Sequence, residues 1–177
     1  DTDDFLFFKA HHNGKKNRSK VRFREYIDSG LCFLEVKRKN NKGVTNKVRM
    51  KVPKIEPHLK DKNLSYVQSL IGKQELYAKH WNMFSRITMV NKHIKERLTF
   101  DVDFKFEADD KKGSFENVVI AEVKQEKVNY ASTFMRLIKQ NGVRPFRISK
   151  YCMATASLYP ELKQNNFKSK FLHINQL

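Results

Sequence analysis

The chain has 177 residues and carries 36 Lys and Arg against 19 Asp and Glu, a formal net charge of +17. This length suits a single domain over 1–177, and the charge favours an anionic partner such as nucleic acid, anionic lipid or a phosphate-rich molecule. The two cysteines exclude a disulfide framework. Without a long apolar run or a signal peptide, we expect a cytoplasmic protein with no membrane segment.

The first part of the chain predicts a sheet with two different faces. A strand end with a turn at Asn13–Gly14 is followed by three runs that alternate basic and apolar residues. The predicted strands span 20–26, 32–39 and 45–52, with a hairpin turn at Asn40–Gly43. One predicted face is apolar, and the other carries Lys20, Arg22, Arg24, Glu35, Lys37, Lys39, Lys47, Arg49 and Lys51. A single polar face is usually just solvated, but neighbouring strands of one sign repel each other and indicate a polyanion partner.

The rest of the chain predicts further strands and helices. A capping-box pattern at Ser65 and Gln68 predicts a helix from Ser65 to about His80. The later predicted elements are a strand over 83–90, a turn over 91–95, a strand over 97–106, a polar loop over 107–117, a strand over 118–124, a helix over 131–141 stopped by Gly142, a helix capped by Ser149, and a last short helix after Asn165.

The predicted inward positions of the later strands continue the basic pattern. They are the cations Arg86, Arg97 and Lys124 and the acids Asp101, Asp103 and Glu122. An antiparallel sheet with one charged face can close so that this face lines a bore. Such a bore suits a triphosphate or a longer phosphate chain, with Arg and Lys on phosphate oxygens and carboxylates on a divalent metal. Phosphoryl transfer needs mainly positioning and charge stabilisation, so no nucleophile triad is required.

Two local patterns add to this hypothesis. An E-x-K spacing occurs at 35–37 and again at 122–124, which indicates either a local ion pair or adjacent metal and phosphate ligands. Lys150 directly follows the predicted N-cap Ser149, where a cation opposes the helix dipole. A phosphate bound at that helix N-terminus would explain both residues, and a solvated lysine is the alternative.

Several of these motifs occur in the same order in a known family. They are KVRFR (20–24), LEVKRK (34–39), RITMVNK (86–92), RLTFD (97–101), EVK (122–124), SKYC (149–152) and YPELKQNNFK (159–168). Together they resemble the vacuolar transporter chaperone (VTC) domain, the polyphosphate polymerase family of the triphosphate tunnel superfamily, and in particular its bacterial branch. The resemblance implies an α+β fold, an antiparallel β-barrel tunnel with flanking helices. It also implies that the family's first strand and helix lie upstream of Asp1.

The resemblance further implies an activity and a set of site residues. The implied enzyme transfers the terminal phosphoryl group of ATP to a growing polyphosphate chain, using Mn²⁺ or Mg²⁺. The implied phosphate ligands are Lys20, Arg22, Arg24, Lys37, Lys47, Arg49, Arg86, Arg97, Lys124, Ser149 and Lys150, of which Arg49 and Lys124 rest on strand register. The implied catalytic residues are Arg22, Arg24, Lys37, Arg86 and Arg97. Glu122, together with Glu35, would hold the metal.

Three other functions stay open at the level of sequence. A tunnel enzyme of the same fold could hydrolyse triphosphates or cyclise ATP, because a fold does not determine a reaction. A non-catalytic module could bind polyphosphate or inositol phosphates on the basic face. An RNA-binding sheet is disfavoured, since almost no aromatic side chain is predicted among the basic positions. A membrane-protein partner is left open in each case.

Overall fold

The structure, a computed structural model, describes residues 1–176. The chain divides into two compact units. The first unit comprises Asp1–Trp81 and Tyr159–Phe167, and the second comprises Asn82–Leu158 and the segment after Phe167. The helices and strands, in chain order, are α1 (Leu6–His12), β1 (Arg18–Tyr26), β2 (Leu31–Lys39), β3 (Thr45–Val52), α2 (Asp61–Ile71), β4 (Trp81–Val90), β5 (Glu96–Ala108), β6 (Lys111–Phe115), β7 (Ile120–Gln125), α3 (Thr133–Gln140), α4 (Lys150–Leu158) and α5 (Lys168–Ile174).

The first unit is built on the antiparallel sheet β1-β2-β3, which confirms the three predicted strands and their turn. The apolar face of the sheet carries Leu34 and Val36, which are buried in a cluster with Val67 of α2 and with Leu59 and Leu76. Burial of these side chains on one face fixes the register, because a slip of one residue would turn the whole apolar set towards the opposite face. The opposite face is therefore the basic one.

The start of the chain forms a helix where a strand end was predicted, so that prediction is wrong. The Asp1 carboxylate accepts hydrogen bonds from the N–H groups of Phe7 and Phe8, each at 2.9 Å, and so satisfies donors at the start of α1. Phe8 is fully buried and packs against Phe167, with ring centroids 5.7 Å apart. The predicted turn at Asn13–Gly14 is present, with Gly14 at a φ of 67°.

Helix α2 also differs from its prediction. It spans Asp61–Ile71 and not 65–80, so Ser65 lies inside the helix and caps nothing. Gly72, at a φ of 86°, ends the helix, and its N–H donates to the carbonyl of Gln68 at 2.9 Å. The segment beyond Gly72 leaves the helix because Leu76 is buried in the core of the first unit.

The second unit is organised around the long strand β5. It pairs with β7 over Glu96–Asp101 and with β6 over Phe104–Ala108, and it also pairs with β4. Asp103 lies between the two paired stretches with a φ of 54°, a left-handed conformation that Asp tolerates better than most residues. The predicted helices near 131–141 and after Ser149 are both present, as α3 and α4.

The prediction of a polar loop over 107–117 is wrong, because strand β6 lies within this segment. Gly113 lies directly opposite Phe106, and its missing side chain leaves room for that ring. Phe115 then packs on Phe104 and Phe106, with ring centroids 5.8 Å and 5.3 Å away. Lys111, Lys112 and Gly113 thus belong to a strand that is stabilised by aromatic contacts.

The structure therefore has a mixed α+β fold with antiparallel sheets. Among residues 1–176 the strands form a three-stranded and a four-stranded hydrogen-bonded sheet, and no closed barrel is found. Within the described part of the chain, no helix combines the length and the apolarity needed to cross a bilayer.

Replacing Gly113 with Ala tests the packing of β6. A methyl group there would overlap the Phe106 ring, so Gly113→Ala should lower the free energy of unfolding by about 1–3 kcal/mol, the usual cost of overpacking a core. Urea unfolding measures this cost. Lys112→Ala, at the exposed neighbouring position, should stay within about 0.5 kcal/mol of the parent. An unchanged midpoint for Gly113→Ala would contradict the close approach of β6 to Phe106.

Candidate functional site

The first sheet presents a continuous basic face. We use this name for the side of β1, β2 and β3 that carries Lys20, Arg22, Arg24, Lys37, Lys39, Lys47, Arg49 and Lys51. The register confirms that these side chains share one face. Lys20 lies directly opposite Lys37, and Lys37 lies directly opposite Lys47, so three ammonium side chains form a row across three strands. Like charges directly opposite each other destabilise a sheet, so this row favours a bound anion.

Glu35 is the buried carboxylate of this face. Its side chain is 1% exposed, and it accepts hydrogen bonds from Arg22 Nε at 2.7 Å and from Lys47 Nζ at 2.8 Å. Arg24 Nε lies 3.7 Å from the same carboxylate. Burial alone would raise the pKa of Glu35, but Lys47 and Arg22 outweigh it and lower the pKa to about 2. We call these four residues the Glu35 cluster.

Positive charge remains in excess around this cluster. Burial lowers the pKa of the Lys37 side chain, and the positive charges of Arg22 and Lys47 lower it further. Glu35 opposes that shift, but it is a smaller influence than either cation. The charged form of Lys37 is therefore disfavoured at the centre of the row. An anion bound there would stabilise it.

Two aromatic rings lie at one end of the basic face, a feature that the sequence analysis missed. The Arg49 guanidinium lies 4.9 Å from the centroid of the Phe33 ring, and the Arg24 guanidinium lies 5.6 Å from that of Tyr26. The two ring centroids are 6.1 Å apart in an edge-to-face arrangement. The signal was present in the alternation, since Phe33 has the same strand parity as Glu35, and Tyr26 the same as Arg24. Such contacts fix the planes of the two guanidinium groups.

The second unit has its own buried carboxylate, Asp101, with an exposure of 3%. Arg86 binds it side-on through Nε at 2.5 Å and Nη2 at 2.6 Å, and Lys150 Nζ donates to its Oδ2. Burial would raise the pKa of Asp101, but Arg86 and Lys150 outweigh it and hold this pKa below its usual value. Burial also lowers the pKa of Lys150, although Asp101 opposes that shift. We call these three residues the Asp101 cluster.

Helix α4 delivers Lys150 to this cluster. The helix begins at Lys150, and Ser149 caps it by accepting a hydrogen bond from the Cys152 N–H at 3.4 Å. The N-cap prediction for Ser149 is thereby confirmed. The cation at the first turn, unfavourable against the helix dipole, is offset by the buried Asp101 carboxylate.

The remaining predicted site residues of this unit lie on β5 and β7. Arg97 pairs with Lys124, and Thr99 pairs with Glu122, so these side chains share one face of the sheet. Glu122 is 52% exposed and forms an ion pair with Lys124 at 3.5 Å. The spacing at 122–124 thus gives a local ion pair, one of the two alternatives, whereas Glu35 contacts cations on the neighbouring strands.

The two carboxylates predicted to hold a metal have different surroundings. Among residues 1–176, no group of three or more His, Cys, Asp or Glu could hold a metal ion. A divalent ion in a phosphoryl-transfer site needs only one or two carboxylates, because substrate phosphates and water complete its shell. Glu122 fits this requirement at an exposed position. Glu35 fits it poorly, since both of its oxygens accept hydrogen bonds from cations.

A cavity of about 320 Å³ lies in the second unit, and no residue of the Asp101 cluster lines it. It is lined by Ile94, Lys95, Gln125, Glu126, Lys127 and Asn129. None of the predicted site residues lines this cavity. The candidate site residues thus form two groups, each described within its own unit: the basic face of the first unit and the Asp101 cluster of the second.

A family model described as VTC domain matches residues 1–159, which include every residue of the candidate site. The chain belongs to the VTC domain family. No curated protein and no solved structure matches it. Membership supports, in general terms, a function related to polyphosphate polymerases. The motif resemblance noted in the sequence is thereby confirmed at the level of the family.

The lowered pKa of Glu35 predicts how acid affects this VTC domain. The folded value, about 2, lies below the ordinary value of 4.5, so ionised Glu35 stabilises the fold above that ordinary value and the stabilisation is lost as the pH falls through about 2. Glu35→Gln should lower the free energy of unfolding at about pH 6 by about 1–3 kcal/mol and flatten its dependence on pH in that window. Urea midpoints at several pH values measure both effects. Glu25→Gln, an exposed position on β1, is the control, and equal slopes for both variants would refute the assignment.

Proposed function

We propose that this VTC domain binds ATP and polyphosphate on its basic residues and transfers the terminal phosphoryl group of ATP to the growing chain. The observation that carries the proposal is the row formed by Lys20, Lys37 and Lys47. Adjacent strands are about 4.8 Å apart, so this row spans about 10 Å, which exceeds a single phosphate and suits a linear chain of phosphates.

The rows of the basic face repeat along the strands. Arg22 and Arg49 flank Glu35 in the row next to the lysine row, at a distance of about 7 Å along the strands. The face therefore offers positive charge in two directions. A ligand with many phosphates gains charge-assisted hydrogen bonds from several rows at once, whereas an isolated phosphate reaches only one.

The Asp101 cluster supports a second phosphate contact in the same reaction. Arg86 offers a planar guanidinium, Lys150 a compact ammonium, and α4 the positive end of its dipole. Arg97 and Lys124 add positive charge on the same strand face. Our proposal includes the closed triphosphate tunnel that the family resemblance implies. It also includes a cytoplasmic location.

A divalent metal is part of the proposal. Glu122 would hold Mn²⁺ or Mg²⁺ together with phosphate oxygens, and the ion would neutralise charge that develops during transfer. Arg22, Arg24, Lys37, Arg86 and Arg97 would orient the phosphates and neutralise their non-bridging oxygens. No protein nucleophile is required, because the terminal phosphate oxygen of the acceptor chain would attack the terminal phosphorus of ATP directly, and ADP would leave with the electron pair of the broken P–O bond.

Removing Lys37 tests the lysine row. In the absence of metal, Lys37→Ala should weaken tripolyphosphate binding by about tenfold or more, since one charge-assisted hydrogen bond is lost. Titration calorimetry measures the affinity, with sulfate at equal ionic strength as the reference anion. Lys42→Ala removes the same charge from the hairpin turn and should leave the affinity within about twofold. Equal losses for both variants, or equal binding of sulfate, would show charge screening in place of a site.

Removing Glu122 separates an enzyme from a binding module. Glu122→Gln in the full-length protein should bind tripolyphosphate without metal as tightly as the parent, or more tightly, because a negative charge is gone. Its metal-dependent turnover should fall by about 100-fold or more, because the ion that aligns the phosphates is lost. The assay supplies ATP with Mn²⁺ or Mg²⁺ and detects polyphosphate, free phosphate and cyclic AMP.

The control for this variant is Glu126→Gln, which removes an exposed carboxylate that pairs with Lys95 at 3.3 Å. It should keep full turnover. Undiminished turnover in Glu122→Gln would refute the metal assignment. Free phosphate or cyclic AMP as the product would indicate a hydrolase or a cyclase, and tight binding without turnover in the parent protein would indicate a polyphosphate sensor.

A further inference from the structure

We infer that Glu35 and Asp101 are positioning residues, each of which holds two cations in the orientation in which they meet phosphate. The inference rests on the proposed function, since it assigns roles within the same site. It removes Glu35 from the metal ligands that the sequence suggested. It also gives Asp101, which the sequence analysis named only among the acids of the predicted bore, a defined task.

The geometry around Asp101 is that of a clamp. Its two oxygens accept the Nε–H and Nη2–H of Arg86, which fixes the plane of the guanidinium, and Oδ2 also accepts from Lys150. The carboxylate is 3% exposed, whereas the Arg86 and Lys150 side chains are 33% and 18% exposed. The acid is thus buried beneath cations that remain partly accessible to solvent.

The Glu35 cluster has the same arrangement in a different unit. Glu35 is 1% exposed, and the Arg22 and Lys47 side chains that it binds are 44% and 41% exposed. One oxygen accepts from the guanidinium and the other from the ammonium. The recurrence on a different sheet, with a different acid, indicates that a buried carboxylate under partly exposed cations is a repeated feature of the binding surface.

Positioning is useful because long cationic side chains are mobile. Free Arg and Lys side chains lose considerable rotamer entropy when they bind a ligand, and a partner that orders them beforehand reduces this loss. A guanidinium has five N–H donors, of which Asp101 takes two, and an ammonium has three, of which it takes one. A carboxylate beneath the cations can therefore order them without using all of their donors.

The same contacts disfavour either acid as a metal ligand. Each carboxylate accepts hydrogen bonds from both an Arg and a Lys, so a dication would have to displace bound cations and would meet their repulsion. Glu122, which forms an ion pair with the half-exposed Lys124 at 3.5 Å, lacks this obstacle. The hydrogen-bond partners of the three carboxylates thus distinguish Glu122, the candidate metal ligand, from the positioning residues Glu35 and Asp101.

The test compares two hypotheses that predict opposite changes in anion affinity. Removing a negative charge from a cationic site should strengthen anion binding if charge alone matters, whereas losing a positioning residue should weaken it. For Asp101→Asn we expect metal-free tripolyphosphate to bind about tenfold or more weakly, because the amide N–H faces a donor and cannot hold both Arg86 and Lys150. Asp103→Asn removes the same charge two residues along β5, at an exposed position whose φ of 54° Asn tolerates, and should bind as tightly as the parent or more tightly.

A third variant distinguishes positioning from a merely structural role. Asp101→Glu keeps the charge but changes the shape, whereas Asp101→Asn keeps the shape but loses the charge. We expect the Glu variant to bind tripolyphosphate more tightly than the Asn variant, and a role of Asp101 in side-chain packing alone would give the reverse order. Binding by Asp101→Asn at or above the level of the parent would overturn the inference.

A measurement on the unmutated protein covers the case in which Asp101→Asn does not fold. The Nε–H of Arg86 should exchange slowly with solvent in ligand-free protein, as seen by NMR, because Asp101 holds it. The Nε–H of the exposed Arg97 on β5 is the control and should exchange rapidly. Equally rapid exchange of both would overturn the inference. If the parent does not bind tripolyphosphate at all, the proposed function fails, while the exchange rates still show whether the clamp exists.

Discussion

Repulsion among the cations of the first sheet is the constraint on which the rest of this unit depends. Lys20, Lys37 and Lys47 lie directly opposite one another, an arrangement that destabilises a sheet unless something offsets it. The opposite face supplies that offset, because Leu34 and Val36 are fully buried and each such side chain contributes about 1.5–3 kcal/mol. The apolar core therefore allows the basic face to exist without its ligand, and it also fixes the register that keeps the cations together.

Much of this sheet could be predicted from sequence, and the reason is its period. Residues of one parity along a strand share a face whatever the tertiary structure, so the alternation predicts the members of the basic face. Strand β6 could not be predicted this way. Its strand character depends on the fit of Gly113 against the ring of Phe106, a contact between strands that composition does not show. The helix at the start of the chain likewise depends on contacts of the Asp1 carboxylate with residues six and seven positions later.

The candidate site could be predicted from sequence to the same extent as the first sheet. Parity identifies which side chains share a face, but not which acid reaches which cation. Residues two apart on one strand are about 7 Å apart, whereas directly opposite neighbours on adjacent strands have Cβ atoms about 4.5–5.5 Å apart. Glu35 therefore pairs with Arg22, directly opposite it on β1, and not with Lys37 on its own strand, while Lys47, diagonal to it on β3, reaches it through a long side chain. The contact of Asp101 with Lys150 joins positions 49 residues apart and lay beyond any local pattern.

The two carboxylate clusters also show how a cationic site can balance stability against binding. A surface of cations alone would be unstable without its ligand, while a surface with as many acids as cations would repel phosphate. In each cluster a single buried carboxylate lies among two or three cations, which leaves net positive charge after the internal pairs form. Burial of the acid matters as much as its charge, because a carboxylate beneath the cations attracts them without standing in the path of the ligand. The same interaction that stabilises the ligand-free fold can thus also prepare the side chains for phosphate.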